Sequence, residues 1–386
     1  MKKLIPGFFL WITIGVFAQD YTLSITYGGK QRTFILHTPC KVYNCSGKKI
    51  PLLFAFHGLT ESGQLIRDYS QFNKVADTAG FAVVYPNGIN NRWNVGFPGT
   101  VGSGEDDLGF ANALIDYFIA NSTNCDSNIC AELDTTRIYA CGMSNGGFFS
   151  YLLACQLSHR IAAIASVTGS MTAATYDSCR PKRPVPVLQI HGTSDAIVPY
   201  NGGGQSGAKS IPDGLAFWVG KNSCAPNPVT QAVPDINTAD GCTAEWIRYT
   251  SCSAGASVEH FKVTGGGHTW PDMVQVYPEV IVGKTNRDFN ASVEIWRFFR
   301  RFSLAGNISS VDNSVDVTSN AVFYPNPAEN YITLAKPGAY RIFDVTGRIL
   351  KASGSVDMNE PIYLDMLQPG IYVLETQEGN RKLVKK

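Results

Sequence analysis

Three things are missing from this chain, and each absence removes a class of function. Charge of one sign is missing: 32 Lys and Arg stand against 31 Asp and Glu, a net charge of +1 with no long basic run, which argues against nucleic acid as a partner. Long apolar runs are missing after the N-terminus, so no later segment reaches membrane-spanning length. Metal-ligand spacing is missing too. The ten cysteines include no C-x-x-C, no H-E-x-x-H accompanies them, and the close pairs Cys40/Cys45 and Cys125/Cys130 lie in polar loops without zinc spacing. No metal and no organic cofactor is expected.

What is present begins with MKKLIPGFFLWITIGVFAQD, a basic start, a short apolar core and Ala18 before a small-residue cut. The stretch is too short for a comfortable span and reads as a secretory signal peptide over residues 1–18, leaving no membrane segment once removed. Ten cysteines in an exported chain fit disulfides formed in an oxidising compartment. A length of 386 residues predicts a large domain with an accessory one.

The large domain is organised around RIYACGMSNGGFFSYLLACQL, Arg137 to Leu157. The apolar run Ile138 to Cys141 reads as a buried strand, Gly142-Met143-Ser144-Asn145-Gly146 matches the G-x-S-x-G nucleophile elbow, and a helical pattern follows. A serine at the tip of a sharp strand-to-helix turn has a strained backbone, and side chains two positions to either side would collide with the neighbouring chain. Gly142 and Gly146 remove those side chains, and Gly147 lets the helix approach the strand. At the helix N-terminus, free N–H groups and the helix dipole favour an oxyanion beside Ser144.

Other chemistry-bearing residues also follow apolar strands. Pro51 to Phe56 is apolar on both alternations, as in a strand covered on both faces, and runs into His57-Gly58-Leu59-Thr60. Here the second oxyanion donor is expected, the N–H of Leu59 or of the adjoining Thr60, partnering that of Asn145. The alternative is a tight turn without catalytic duty. Val185 to Ile190 leads to Asp195, where the triad acid is expected, and Val258 to Val263 leads through Gly265-Gly266-Gly267 to His268, the expected base. Of six histidines, only His268 combines a strand-end loop with the order Ser, Asp, His; His57 and His191 belong to His-Gly turns, where the ring orders a loop.

The rest of the domain reads as supporting structure. Tyr21 to Thr38 alternates around Gly28-Gly29, an edge hairpin, and Phe72 to Ala79 reads as a helix. The long loop Pro86 to Leu108 places Trp93 either to pack on a sugar or aromatic acyl group or to anchor the loop from inside; Trp270 is the other aromatic candidate for the substrate. Glu105-Asp106-Asp107 precedes a helix, which fits capping better than catalysis. Residues 224–252 look like an insertion, with Cys224, Cys242 and Cys252 placed to staple it. The catalytic domain is thus expected over 19–302 and a polar linker over 303–320. Short strands without helices over 321–386 indicate a small β-sandwich.

Together, His57-Gly58, the Gly142 to Gly147 elbow, His191-Gly192-Thr193-Ser194-Asp195 with Val198-Pro199-Tyr200, and Gly265-Gly266-Gly267-His268-Thr269-Trp270-Pro271 resemble the secreted polyhydroxybutyrate depolymerase and feruloyl esterase group of α/β-hydrolases. The resemblance covers roughly Tyr21 to Phe302. It implies a mostly parallel sheet with helices on both faces, a Ser144, Asp195 and His268 triad, disulfides Cys155 to Cys179 and Cys224 to Cys252, and a free buried Cys141. One departure stands out: His57-Gly58 is followed by Leu-Thr-Glu where many relatives carry small or polar residues. The segment Val322 to Lys386 is similar to the C-terminal sorting domain of the type IX secretion system of Bacteroidota, through Tyr324-Pro325-Asn326-Pro327-Ala328, Asp344-Val345-Thr346-Gly347-Arg348, Pro369-Gly370-Ile371-Tyr372 and the terminal Lys-Leu-Val-Lys-Lys. The competing reading is a carbohydrate-binding module. The segment's aromatics fall mostly on strand patterns suited to a core, and it has no tryptophan.

The expected function is therefore a secreted serine carboxylic-ester hydrolase acting on plant cell-wall polysaccharide esters, feruloylated or acetylated xylan, with type IX machinery as the export partner. The alternatives are an extracellular polyhydroxybutyrate depolymerase and, in another class, a secreted binding protein that keeps the fold without the activity.

Overall fold

The computed structural model describes residues 19–39, 49–98, 104–122, 132–204, 206–273 and 276–307, and in the C-terminal part 323–324, 328, 331–334, 338–343, 349–357, 360–364, 367–368, 370–376 and 379–385. The expected signal peptide, the two close cysteine pairs and most of the expected linker lie outside the described residues. Two compact units divide after Ile308.

Ten strands form the main sheet: β1 (Gln19–Tyr27), β2 (Lys30–Thr38), β3 (Lys49–Phe56), β4 (Ala82–Pro86), β5 (Glu132–Met143), β6 (Ala163–Val167), β7 (Val187–Gly192), β8 (Val229–Ala232), β9 (Thr243–Tyr249) and β10 (Val258–Thr264). Their order is β1-β2-β4-β3-β5-β6-β7-β10-β9-β8. The run from β4 to β10 is parallel, and antiparallel strands flank it on both sides. This is the doubly covered α/β-hydrolase sheet predicted from the sequence. The helices are α1 (Gly63–Ser70), α2 (Phe72–Ala79), α3 (Asp107–Asn121), α4 (Asn145–Gln156), α5 (Ala173–Ser178), α6 (Ile211–Lys221), α7 (Glu279–Val282) and α8 (Ala291–Phe299).

Side-chain alternation along β3 explains why that strand reads as continuously apolar. Leu52, Phe54 and Phe56 enter a core under α3, α4 and α6 with Phe118, Phe149 and Trp218. Leu53 and Ala55 enter the opposite core under α1, α2 and α8 with Ile66, Phe72 and Phe299. Because successive residues point to opposite faces, both sets must be apolar where both faces are covered. Asp106 caps α3, its side chain accepting from the Gly109 N–H, which fits the capping role expected for the acidic triplet. Asp107 makes a buried ion pair with Arg32 at 2.6 Å.

The segment 224–252 is more than a stapled insertion. Its strands β8 and β9 extend the sheet by antiparallel pairing to β10. The disulfides Cys155–Cys179 and Cys224–Cys252 are formed as the resemblance implied, and Cys141 is free and buried. Cys242 is also free, so it does not staple the segment.

The boundary expected after residue 302 is displaced by a hairpin, β11 (Phe302–Ser303) and β12 (Gly306–Asn307). The Leu304 N–H donates to Thr136 O at 2.8 Å, the Tyr139 hydroxyl donates to Phe302 O at 2.7 Å, and Phe302 is buried. Residues 303–307 therefore belong to the large domain, not to a linker.

The second unit has β13 (Phe323–Tyr324), β14 (Tyr331–Leu334), β15 (Gly338–Phe343), β16 (Ile349–Val356), β17 (Pro361–Tyr363), β18 (Gly370–Thr376) and β19 (Gly379–Lys385). They form sheets β13-β14-β17 and β16-β15-β18-β19 around Phe323, Ile332, Ile342, Leu374 and Leu383, as in a small sandwich. Of its aromatics, Phe323, Tyr340 and Tyr372 are core, while Tyr331 and Tyr363 pair on the outside.

Candidate active site

Ser144 joins β5 to α4 with φ 51° and ψ −119°, a conformation that L-residues avoid and that points to a constrained turn. Its surroundings leave no room for side chains. A Cβ on Gly146 would lie 2.2 Å from Phe56 O, and one on Gly142 would lie 2.5 Å from Gly146 C. One on Gly147 would lie 2.6 Å from Ser166 Oγ, under the helix. The Ser144 N–H donates to Val167 O at 2.9 Å, which ties the turn to the end of β6.

Asp195 follows β7 and His268 follows β10. Since β5, β6, β7 and β10 are parallel neighbours, all three residues emerge at the same carboxyl edge of the sheet. The His268 Nδ1–H donates to Asp195 Oδ2 at 2.8 Å, with both side chains buried. Three bonds join the two loops: Ser194 N–H to Gly266 O, Thr193 N–H to Val263 O, and Gly265 N–H to Thr193 Oγ1. A Cβ on Gly267 would lie 2.1 Å from Val282 O, so only glycine admits the segment that packs on this loop.

Asp195 is heavily solvated by the protein itself. Oδ1 accepts the N–H groups of Ile197 and Val198 at 2.9 and 2.8 Å, and Oδ2 also lies 3.3 Å from His191 Nε2. Burial by itself raises the carboxyl pKa, but the bonds and charges of His191 and His268 outweigh it and hold the group well below the usual carboxylate range. The Asp195 carboxylate, accepting from Nδ1–H, fixes the His268 tautomer and leaves Nε2 as the acceptor. His191 is itself held by Gln189, whose Nε2 lies 3.0 Å from His191 Nδ1, and Gln189 accepts from the Tyr151 hydroxyl.

The oxyanion expectation divides. The N–H groups of Leu59 and Asn145 carry no backbone hydrogen bond among the described residues, as donors reserved for a ligand require. The Thr60 N–H, by contrast, is engaged: it donates to Asn91 O at 2.8 Å, in a residue with φ 66°. His57 does order this loop, as expected; Nδ1–H donates to Gly58 O at 2.7 Å and Nε2 accepts the Gly88 N–H at 3.0 Å.

Neither tryptophan expected at the substrate is accessible. Trp93 is fully buried, stacked on Phe149 and edge-on to Phe56. Its backbone makes two bonds with the Asn145 amide, at 2.7 and 3.1 Å, and its Nε1–H donates to His57 O at 3.0 Å. It thus ties the elbow to the His57 turn from inside, the second of the two roles open to it in the sequence. Trp270 is likewise buried, its N–H donating to the Tyr69 hydroxyl and its Nε1–H to Ser292 Oγ. Exposed apolar side chains lie instead at Leu59, Ile197 and Tyr277.

Two residues at the site were not anticipated. Glu61 is buried in the turn after Gly58 and shares a bond with Tyr277, 216 positions away. Spacing shows no such partnership; only the departure at Leu-Thr-Glu marked the position. Among the described residues no group of three or more His, Cys, Asp or Glu is arranged to hold a metal ion, and no helix is long and apolar enough to cross a membrane.

Residues 322–386 match the family of the secretion system C-terminal sorting domain. Over the large domain, the chain is 28% identical across 285 residues to the "Putative esterase NocK" of Nocardia uniformis subsp. tsuyamanensis, a match covering 69% of this chain and 79% of that protein. It is 31% identical across 238 residues to feruloyl esterase B of Piromyces equi, covering 58% of this chain and 40% of the relative. It is 24% identical across 265 residues to the bifunctional acetylxylan esterase/xylanase XynS20E of Neocallimastix patriciarum, covering 68% of this chain and 33% of the relative. The chain thus spans less than half the length of the latter two.

Proposed function

We propose that the chain is a secreted serine carboxylic-ester hydrolase in which Ser144, His268 and Asp195 act as nucleophile, base and orienting acid, and that its substrates are plant cell-wall polysaccharide esters, feruloylated or acetylated xylan. The observation that carries the chemistry is the His268–Asp195 bond of 2.8 Å, formed at the sheet edge where Ser144 stands in its strained turn. His268 Nε2 takes the Ser144 proton as the hydroxyl attacks the ester carbonyl, and the N–H groups of Asn145 and Leu59 receive the oxyanion. The alcohol departs with that proton, and water cleaves the acyl-enzyme by the same route. The substrate class is supported by the feruloyl and acetylxylan esterases that the large domain is similar to. The sorting domain directs the protein out of the cell or to its surface, with type IX machinery as the partner.

A polyester depolymerase is the second reading. The burial of Trp93 and Trp270 and the exposure of Leu59, Ile197 and Tyr277 favour it, since these give an apolar rim suited to a polymer surface. Free acid released by the full chain from methyl ferulate, acetylated xylan and a polyhydroxybutyrate suspension, measured in parallel, decides between them. Turnover of the polyester alone establishes the second reading. Ser144→Ala is expected to lower kcat by about 10⁴-fold or more while the protein stays folded. Full activity in that variant refutes the triad.

A further inference from the structure

We propose that Glu61 is a positioning residue for this site: its carboxylate, braced by the Tyr277 hydroxyl, locks the turn from His57 to Glu61 so that the Leu59 N–H is presented to the oxyanion formed at Ser144. The inference rests on reading Ser144 as the nucleophile.

The turn is closed twice by the same residue. Glu61 N–H donates to Gly58 O at 3.3 Å, and Gly58 N–H donates to Glu61 Oε2 at 2.8 Å. With Thr60 N–H given to Asn91 O, Leu59 carries the one N–H of the four residues from Gly58 to Glu61 that has no described partner. Gly58 makes the arrangement possible, since a Cβ there would lie 2.8 Å from Glu61 Oε2 and displace the carboxylate.

Glu61 is only 8% exposed, whereas its neighbour Leu59 is 37% exposed. No cation pairs with the carboxylate among the described residues, and an ionised group taken out of water in this way opposes folding. Its two described hydrogen-bond donors are neutral: Gly58 N–H on Oε2 and the Tyr277 hydroxyl on Oε1 at 3.2 Å. Burial raises the Glu61 pKa, while Gly58, Tyr277 and the nearby His268 act in the opposite direction.

Tyr277 belongs to the segment that holds the base. The His268 N–H donates to Val282 O at 2.5 Å and the Gly267 N–H to Lys284 O at 2.9 Å. One stretch of chain, 276–284, therefore braces both the proton-transferring histidine and, through Tyr277 and Glu61, the oxyanion turn.

The test compares the full chain with Glu61→Ala, Glu61→Gln and Tyr277→Phe. It measures kcat and KM on p-nitrophenyl acetate and affinity for phenylboronic acid, which forms a tetrahedral adduct on a nucleophilic serine. Losing one aligned oxyanion donor costs about 10²- to 10³-fold, so misaligning it in Glu61→Ala is expected to lower kcat about 10- to 100-fold. KM should change little, and boronate affinity should fall in parallel with kcat. Glu61→Gln, which keeps an acceptor for Gly58 N–H, should recover most of both, and Tyr277→Phe should show a smaller loss of the same kind. Unimpaired kcat in folded Glu61→Ala overturns the proposal. Should Glu61→Ala not fold, the proposal falls if Tyr277→Phe matches wild type in kcat and boronate affinity. A wild-type chain without esterase activity overturns the esterase reading and this proposal together; an active wild type beside an unimpaired Glu61→Ala overturns this proposal alone.

Discussion

His57 and His260 are kept neutral by burial, which lowers their pKa from 6.5 to about 4 and about 3. Their bonds suit the neutral ring: each has one nitrogen facing a backbone carbonyl, Gly58 O or Gln189 O, and the other facing a donor, the Gly88 N–H or the Tyr200 hydroxyl. An unfolded chain protonates these rings near pH 6.5 while the folded chain does not, so their contribution is complete above pH 6.5 and is lost as pH falls toward 4. At about 1.4 kcal/mol per pKa unit, His57 alone accounts for about 3 kcal/mol across that window. Thermal melts of the full chain should show Tm falling steadily from pH 7 to about pH 5, ahead of most carboxylate titration. A flat Tm over that range would contradict the neutral assignment. At the same scale, the sequence distinguished His268 from the other five histidines by order and context. It could not show that His191 lies beside the same carboxylate oxygen as His268, because that contact depends on how the loop after β7 folds back.

The elbow shows what an element owes to its sequence. Gly142, Ser144, Gly146 and Gly147 were legible because their spacing reflects a local steric problem, and the contacts below 3 Å that a Cβ would make at each glycine state that problem in distances. Trp93 was not legible in the same way. An aromatic in a long loop is compatible with a cleft wall or an interior anchor, and the decision came from Asn145, whose amide captures the Trp93 backbone. The disulfide Cys155–Cys179 ties the end of α4 to the residue after α5 and closes a loop with a sequence separation of 24. A crosslink of this loop size restrains the unfolded chain by about 3 kcal/mol. The double variant Cys155→Ala, Cys179→Ala should therefore melt several degrees lower at unchanged kcat, read by calorimetry and ester turnover. A kcat loss at temperatures where the variant is fully folded would mean that the bridge also holds α4 in register with Ser144.

On the scale of the whole molecule, the boundary between the units makes a prediction of its own. Phe302 is buried and residues 302–307 bond to the strand that carries the elbow, so a chain ending at 308 should keep the full enzyme's kcat. A chain ending at 301 loses the Phe302 side chain from the core, a cost of about 3 kcal/mol or more, and should melt markedly lower. Equal melting of the two truncations would show the hairpin to be dispensable. The sequence missed this because Ser303 to Asn307 is short and has a single large apolar side chain, Leu304, and only its pairing shows that it belongs to the fold. What the sequence determined by itself was whatever is encoded locally: apolar strands covered on both faces, a serine turn that only glycine permits, a chain order of Ser, Asp and His, and a change to short strands near residue 322. The tertiary structure alone decided which groups are shared or spent across long separations. It gave the Thr60 N–H to Asn91, buried Trp93 and Trp270, set His191 beside Asp195, and joined Glu61 to Tyr277. Hydrogen-bond partners far apart in the chain leave no periodicity and no spacing in a single sequence, because they are fixed by the meeting of loops at one edge of the sheet.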